Sequence, residues 1–393
     1  MAKHAKLSPS AAERWINCPG SFHLSGYFPE TTSPQAQEGT LAHELAEILI
    51  AHRLEPQDKK LAAHKDKVDA FYKLHPDLAE TYESMRKSIE QYVDYVWSEF
   101  TAIQEKDPAA LLATEQKVDF SDIVPEGFGT SDVVIIGANM IEVIDLKYGK
   151  GVEVFAKDNP QIRLYAIGAV NEFSLVYDFE DTKMVIYQPR RDHVTEDHMA
   201  VADLLKWGKE VVAPAAAEAL SEHPTYHPGA WCDSHFCPAA GACKARAQFA
   251  LGIARHAGKD PALLTDEEIS DALGRIAELT KWGKKLETYA LSEAQDGHAI
   301  PGWKIVEGKT NRAYADADKV AATVIKAGYD EALIYTRSLI GITDMEKLLG
   351  KKDFAKLLGD LVVKLAGAPK LAPESDARPT FNPKQSIKDA FDD

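Results

Sequence analysis

Apolar positions recur along this chain with two periods, and the change from one to the other lays out the predicted elements. In EGTLAHELAEILIAH, Leu41, Leu45, Ile48 and Leu49 fall three or four residues apart, the spacing of one helix face. The same period runs from about Lys60 to Glu105 and breaks near Pro76. Period two then takes over. LLATEQKVDF reads as a strand, and SDVVIIGANMIEVIDLKYGKG reads as two β-branched runs joined at Gly137-Ala138-Asn139, a hairpin. Asp158-Asn159-Pro160 caps a helix over QIRLYAIGAVNEF. TKMVIYQPR predicts a further strand, and EDHMAVADLLKWGKEVVAPAAAEAL a further helix. Near the start, Ser8-Pro9 opens a short helix that Cys18-Pro19-Gly20 closes. Helix, strand, hairpin, helix and strand in this order predict an α/β fold, a mixed central sheet flanked by helices.

Beyond residue 255 the pattern is mostly helical. Thr265 and Glu268 form a capping box, and Ile269, Leu273, Ile276, Leu279, Trp282 and Leu286 give the helix after it an apolar stripe. Pro301 to about Ala315 predicts a hairpin, and 316–366 short helices. From Pro369 the composition turns to Pro, Ser, Asp and Lys, that of a disordered tail. The expected organisation is a first domain over 1–255, a mostly helical accessory domain over 262–366 and a tail over 367–393. Within the tail, Ile387, Ala390 and Phe391 sit among acids, and PKQSIKDAFDD reads as solvated chain rather than a docking motif. GWKIVEGKT, Gly302 to Thr310, nearly spells a phosphate-binding loop, but five residues stand where that motif has four and no helix-forming run follows. ATP binding is therefore rejected.

Composition narrows the class. With 393 residues, 45% hydrophobic and 27% charged, the chain has the make-up of a soluble globular protein. No apolar run reaches membrane-spanning length, and the first residues lack the apolar stretch of a secretory signal, so no membrane role and a cytoplasmic location are expected. The net charge of −16 argues against a general nucleic-acid coat, yet allows an enzyme whose cations are confined to a cleft.

The hairpin carries the first chemistry. With Ala138-Asn139 at its tip, positions summing to 277 face each other, so Asp132 lies opposite Asp145. Strand alternation puts Asp145 and Lys147 on one face. Two carboxylates about 5 Å apart repel by roughly 3 kcal/mol at an effective dielectric of 20, so something positive must offset them. Lys147 alone would make a structural ion pair at a strand end; Lys147 with a divalent cation would make a catalytic site. His43 and Glu47, four residues apart after Gly39-Thr40, share a helix face, and so do Gln161 and Tyr165.

Cys18, Cys232, Cys237 and Cys243 carry the second. In an intracellular chain of this size, metal or catalysis is the expected use rather than disulfides. Four thiolates suit a structural zinc ion or an iron–sulfur cluster.

Gly39…His43, Asp132, Asp145-Leu146-Lys147 and Gln161-Ile-Arg-Leu-Tyr165, in this order, resemble the PD-(D/E)XK nuclease superfamily in its RecB-like branch, over about residues 8–250. That resemblance implies a restriction-endonuclease-like core in which His43, Asp132, Asp145 and the Leu146 carbonyl hold Mg²⁺ or Mn²⁺. It implies that Lys147 orients or deprotonates the attacking water, and that Gln161 and Tyr165 position Lys147 or the DNA backbone. Glu47 and Glu115 are further candidates. One cysteine before the core and three after it resemble the iron–sulfur staple of AddB-like and Cas4-like nucleases, implying a [4Fe-4S] cluster, with Zn²⁺ as the alternative. The chain departs from them in spacing, with Cys-x4-Cys-x5-Cys where those families have Cys-x2-Cys-x5-Cys, and His235 offers a substitute ligand. GFGTSDVVII, VIDLKYGKGVEV and NPQIRLYAIGA resemble blocks of a phage-associated, nuclease-like family labelled DUF2800. The activity implied is that of a phage or prophage DNA exonuclease in a bacterial host, serving recombination or replication beside a single-strand annealing protein or another recombination partner. A catalytically silent iron–sulfur or zinc protein that binds DNA or acts as a scaffold is the rival, and a redox carrier a third reading. Neither has a use for the full Asp132, Asp145 and Lys147 set.

Overall fold

The helices Pro34–Leu54, Tyr82–Gln104, Pro160–Phe173 and Asp266–Gln295 each start at a side-chain cap. A computed structural model describes residues 5–28, 33–252, 264–304, 306, 317–328, 330, 341–358 and 361–362. A 3₁₀ turn at Pro9–Ala11 leads into α1 (Ala12–Asn17), and α2 (Gly20–Ser25) follows. Ser33 accepts the amide of Ala36 and opens α3 (Pro34–Leu54). After α4 (Asp58–Leu74), Thr81 caps α5 (Tyr82–Gln104).

Strands β1 (Leu111–Asp119), β2 (Phe128–Ile136), β3 (Met140–Leu146), β4 (Asp181–Gln188) and β5 (His193–Ala200) form one mixed sheet in chain order. All neighbours are antiparallel except β3 and β4, whose parallel pairing needs a crossover. That crossover is α6 (Pro160–Phe173), whose first amides, on Gln161 and Ile162, are accepted by Asn159 Oδ1. Gly168 lets it lie close on β1, since a Cβ there would fall 2.8 Å from Val118 Cβ. The hairpin pairs Val133 with Ile144 and Ile136 with Ile141, the register expected from its turn.

Both faces of the sheet are covered. Val134, Ile136, Ile141, Val143, Met184 and Ile186 pack under α6, α7 (Val201–Trp207) and α8 (Ala213–Ala219). Val133, Ile135, Ile144, Leu146 and Val185 pack under α3, α4 and α5. Hence β2 and β3 read as nearly unbroken apolar runs: neither face meets water.

One expectation is corrected. The segment predicted as helix from Glu196 begins as β5, an edge strand whose side chains alternate between outward and half-buried, and the helix starts only at Val201. Pairing with β4 overrides the local helix preference. The cysteine-bearing segment holds α9 (Trp231–Ser234) and α10 (Lys244–Leu251), and α11 (Asp266–Gln295) packs back on it. Trp282 Nε1 donates to the Gly241 carbonyl, and a Cβ on Gly241 would fall 2.6 Å from the Lys285 carbonyl. The long helix lies in the same compact unit as the sheet, residues 1–306, and 307–393 form the other. Its predicted stripe is split: Leu279 and Trp282 are partly covered, whereas Ile269, Leu273 and Ile276 stay exposed.

The second unit contains helices Ala317–Lys326, Ile342–Leu349 and Lys351–Leu358. Most of the hairpin expected over 301–315, the end of the Gly302–Thr310 segment and the tail over 367–393 lie outside the described residues. Among the described residues no helix is long and apolar enough to cross a membrane.

Candidate active site and cysteine cavity

The sheet opens at Asp132. The β2–β3 ladder stops at Val133 and Ile144, and beyond it Asp132 Oδ2 accepts the backbone N–H of Leu146 at 2.7 Å. On the other side Thr114 pairs with Val133 and Gln116 with Ser131, but Glu115 between them makes no pair with Asp132. Glu115 has φ +48°, in the left-handed region, which costs a non-glycine residue on the order of 1–3 kcal/mol. The break sets Glu115 with His43, Glu47, Asp132, Tyr92 and Leu146 around one small pocket between α3 and the sheet.

His43 reaches this opening from α3. Its Nδ1 lies 2.7 Å from the Gly39 carbonyl, so the proton there is donated backwards along the helix and Nε2 faces Asp132 Oδ2 at 3.3 Å. Burial alone would lower the His43 pKa, but the hydrogen bond and charge of Asp132 outweigh it and raise the pKa to about 9. Burial, then Asp132, push the Glu115 carboxyl up to about 7, although its side chain reaches solvent.

Asp145 is buried at the end of β3, and burial raises its pKa against the pull of Lys147. Lys147 Nζ lies 2.8 Å from Asp145 Oδ2, an ion-pair distance, yet that buried oxygen accepts no hydrogen bond of proper angle. Lys147 instead donates to Gln161 Oε1 at 3.0 Å, and Gln161 Nε2 donates to the Tyr165 hydroxyl at 3.2 Å. Gly129 makes room for Tyr165, since a Cβ there would fall 2.6 Å from its ring. The structure therefore joins Asp145, Lys147, Gln161 and Tyr165 in one line, and His43, Asp132, Glu115 and Glu47 around one pocket. Asp132 connects the two through the Leu146 amide.

A second network was not foreseen from sequence. The buried Arg190 guanidinium bridges Glu38 and Glu80, at 2.8 Å each, and covers the Tyr148 ring. Tyr72 donates its hydroxyl to the other oxygen of Glu38, and Lys150 pairs with Glu80. Glu38 is five residues before His43 and Tyr148 directly follows Lys147, so this network ties the histidine helix to the lysine strand. The available signal was a pair of arginines at the end of a strand, Gln188-Pro189-Arg190-Arg191, and nothing in it named the partners.

Three carboxylates and an imidazole nitrogen, with one buried carboxylate oxygen lacking a hydrogen bond, form a donor set that suits Mg²⁺ or Mn²⁺. In the arrangement described, the acids are partnered by His43 and Lys147. Among the described residues no three His, Cys, Asp or Glu side chains stand in metal-holding geometry.

The four cysteines, all free thiols, line one cavity together with Arg14, Tyr226 and Trp231. Cys18 lies just after α1, and its Sγ accepts the His227 amide at 3.3 Å. Burial raises the pKa of Cys18, Cys232 and Cys237, so a bare cavity keeps these thiols protonated, while a bound metal would take them as thiolates. Thiols in a largely apolar cavity are the donor type that a thiophilic metal takes, although these four do not stand in metal-holding geometry. His235 turns its Nδ1 to Ser234 Oγ at 2.9 Å, and the cavity lining does not include it.

Residues 4–379 match the family described as "Protein of unknown function (DUF2800)". Among solved structures, the crystal structure of a "Putative exonuclease" from Eubacterium rectale is similar over 58% of this chain and 92% of its own, at 11% identity and a TM-score of 0.30. That of SSO0001 is similar over 59% and 96%, at 15% identity and a TM-score of 0.21. Likenesses this faint carry no argument about activity.

Proposed function

We propose that this chain, which belongs to the DUF2800 family, is a divalent-metal-dependent deoxyribonuclease of the PD-(D/E)XK type, acting as an exonuclease. The observation that carries the reading is the convergence of His43, Asp132, Asp145 and Lys147 at one opened strand end, with Gln161 holding the lysine. A nonspecific structural ion pair would need neither the break at Glu115 nor the line to Tyr165.

His43 Nε2, Asp132, Asp145 and the Leu146 carbonyl would hold Mg²⁺ or Mn²⁺. A cation bound there supplies charge for the scissile phosphate and acidifies a water. Gly39 fixes the His43 tautomer, leaving Nε2 free to ligate once deprotonated. Lys147 would hold a water beside Asp145 and meet the charge that develops on a phosphate oxygen. Gln161, anchored by Tyr165, keeps the ammonium from collapsing wholly onto Asp145. Glu115 and Glu47 add negative charge at the pocket rim and would strengthen cation binding.

In the same reading the cysteines hold a [4Fe-4S] cluster, or Zn²⁺ in its place, as a structural clip between the start and the end of the nuclease unit. The biological setting is phage or prophage recombination or replication in the bacterial cytoplasm, with DNA as substrate and a single-strand annealing protein or another recombination or replication protein as partner.

The test is digestion of linear and circular DNA with Mg²⁺ or Mn²⁺ by anaerobically purified wild-type and Lys147→Ala protein. Loss of linear DNA alone, and only with wild type, is the expected result. No degradation of any substrate with either metal would overturn the reading in favour of a silent DNA-binding or scaffold protein.

A further inference from the structure

Segment 147–159 leaves the candidate site at Lys147 and crosses the ends of β4 and β5 as a fastened strap. Gln188 accepts the Val154 amide at 2.8 Å and donates to the Val152 carbonyl at 3.0 Å. Thr195 Oγ1 accepts the Ala156 amide at 3.0 Å, and Arg191 donates to the Lys150 carbonyl at 2.6 Å. Val154 and Ala156 turn inward onto the core under α6. Phe155, between them, faces outward, where 53% of it meets solvent, and Val152 is 62% exposed. The ring of Phe155 touches His193 edge-on at 5.0 Å.

Fully burying a phenylalanine contributes about 1.5–3 kcal/mol, and this strap forgoes much of that while holding both flanking residues in place. Charge does not explain the surface. Lys150, Arg163, Arg190 and Arg191 are each paired with an acid, and the remaining cations here are the site lysine and the exposed Lys157. What the strap offers is a rigid aromatic face within eight residues of Lys147, no more than about 28 Å along an extended chain.

We infer that Phe155 is a stacking platform for an unpaired base of a single-stranded DNA segment entering the site at Lys147. The inference rests on the nuclease reading and deepens it by naming the substrate class. Inside a duplex each base is stacked on both faces, so only the two end pairs offer a free face, whereas every base of a single strand can. Because the contact is aromatic rather than ionic, it should depend only weakly on salt.

The test is fluorescence anisotropy with a labelled oligothymidylate and a blunt duplex of equal length, without added divalent metal, on the full chain. Phe155→Ala should weaken single-strand binding about 5- to 150-fold, the range for loss of one stacked base. Phe155→Trp should keep wild-type affinity, and duplex binding should be the same in all three proteins. Melting curves of the variants establish that an exposed position has left the fold intact. Equal single-strand binding by wild type and Phe155→Ala, no single-strand binding by wild type, or a loss shared equally by the duplex would each overturn the inference. Since no cleavage occurs in this assay, a platform that survives here while linear DNA resists digestion with either metal removes the nuclease reading alone. Cleavage that requires Lys147, with binding indifferent to Phe155, removes the platform alone.

Discussion

Asp132 takes the backbone N–H of Leu146 at a point where the strands carrying them no longer pair. One carboxylate oxygen thus does the work of a ladder hydrogen bond and also faces His43. The strand end is fixed without a full ladder, and Asp145 and Lys147 are held beside it.

Asp145→Asn and Lys147→Ala should each lower metal-dependent cleavage by at least about 100-fold. Their effects on stability should differ. Burial raises the Asp145 pKa, so its ionised form weakens the fold, and the amide relieves that cost. Asp145→Asn should therefore melt no lower than wild type at about pH 8. A clear drop in melting temperature would mean that the pairing of Asp145 with Lys147 outweighs its burial.

Metal binding should depend on pH through His43. Its folded pKa of about 9 exceeds the ordinary 6.5, so the charged ring stabilises the metal-free fold fully below 6.5 and loses that contribution as pH rises through 9. A cation that takes Nε2 must displace the proton. Affinity for Mn²⁺ should then climb between pH 7 and 9 and level off above, with about one proton released from His43 per ion near neutral pH. Calorimetry in two buffers of different ionisation heat reads this directly. A pH-independent affinity with no buffer-dependent heat would remove His43 from the ligands.

Cys18→Ser should cost both metal and stability, because Cys18 is the thiol that links the first helices to the 232–243 segment. Metal analysis and visible absorbance of anaerobically purified protein tell iron–sulfur from zinc. Unchanged metal content in the variant would take Cys18 out of the cluster.

Arg190→Gln should destabilise by about 3–5 kcal/mol, since it leaves the buried Glu38 with an uncompensated charge and Glu80 with Lys150 alone. Arg190→Lys should recover only part, because one ammonium does not bridge two carboxylates as a planar guanidinium does. Denaturant unfolding measures both. A loss under about 1 kcal/mol in Arg190→Gln would show that water or Lys150 replaces the guanidinium.

The sequence by itself determined what is local. Two hydrophobic periods marked the helices and most of the strands. Turn position set the hairpin register that faces Asp132 towards Asp145, and helical spacing put Gln161 and Tyr165 on one face. These relations span a few residues and follow from backbone stereochemistry, so they hold wherever the segment lies. The tertiary structure alone decided the rest. It broke the ladder at Glu115, brought the helix of His43 to Asp132 across 89 positions of chain, buried Arg190 between Glu38 and Glu80, and drew Cys18 to the 232–243 segment. It also made an edge strand of residues 193–200 and turned Phe155 outward. In each of these the partner lies far along the chain, and no local period specifies it; the path of the chain through the packed layers does.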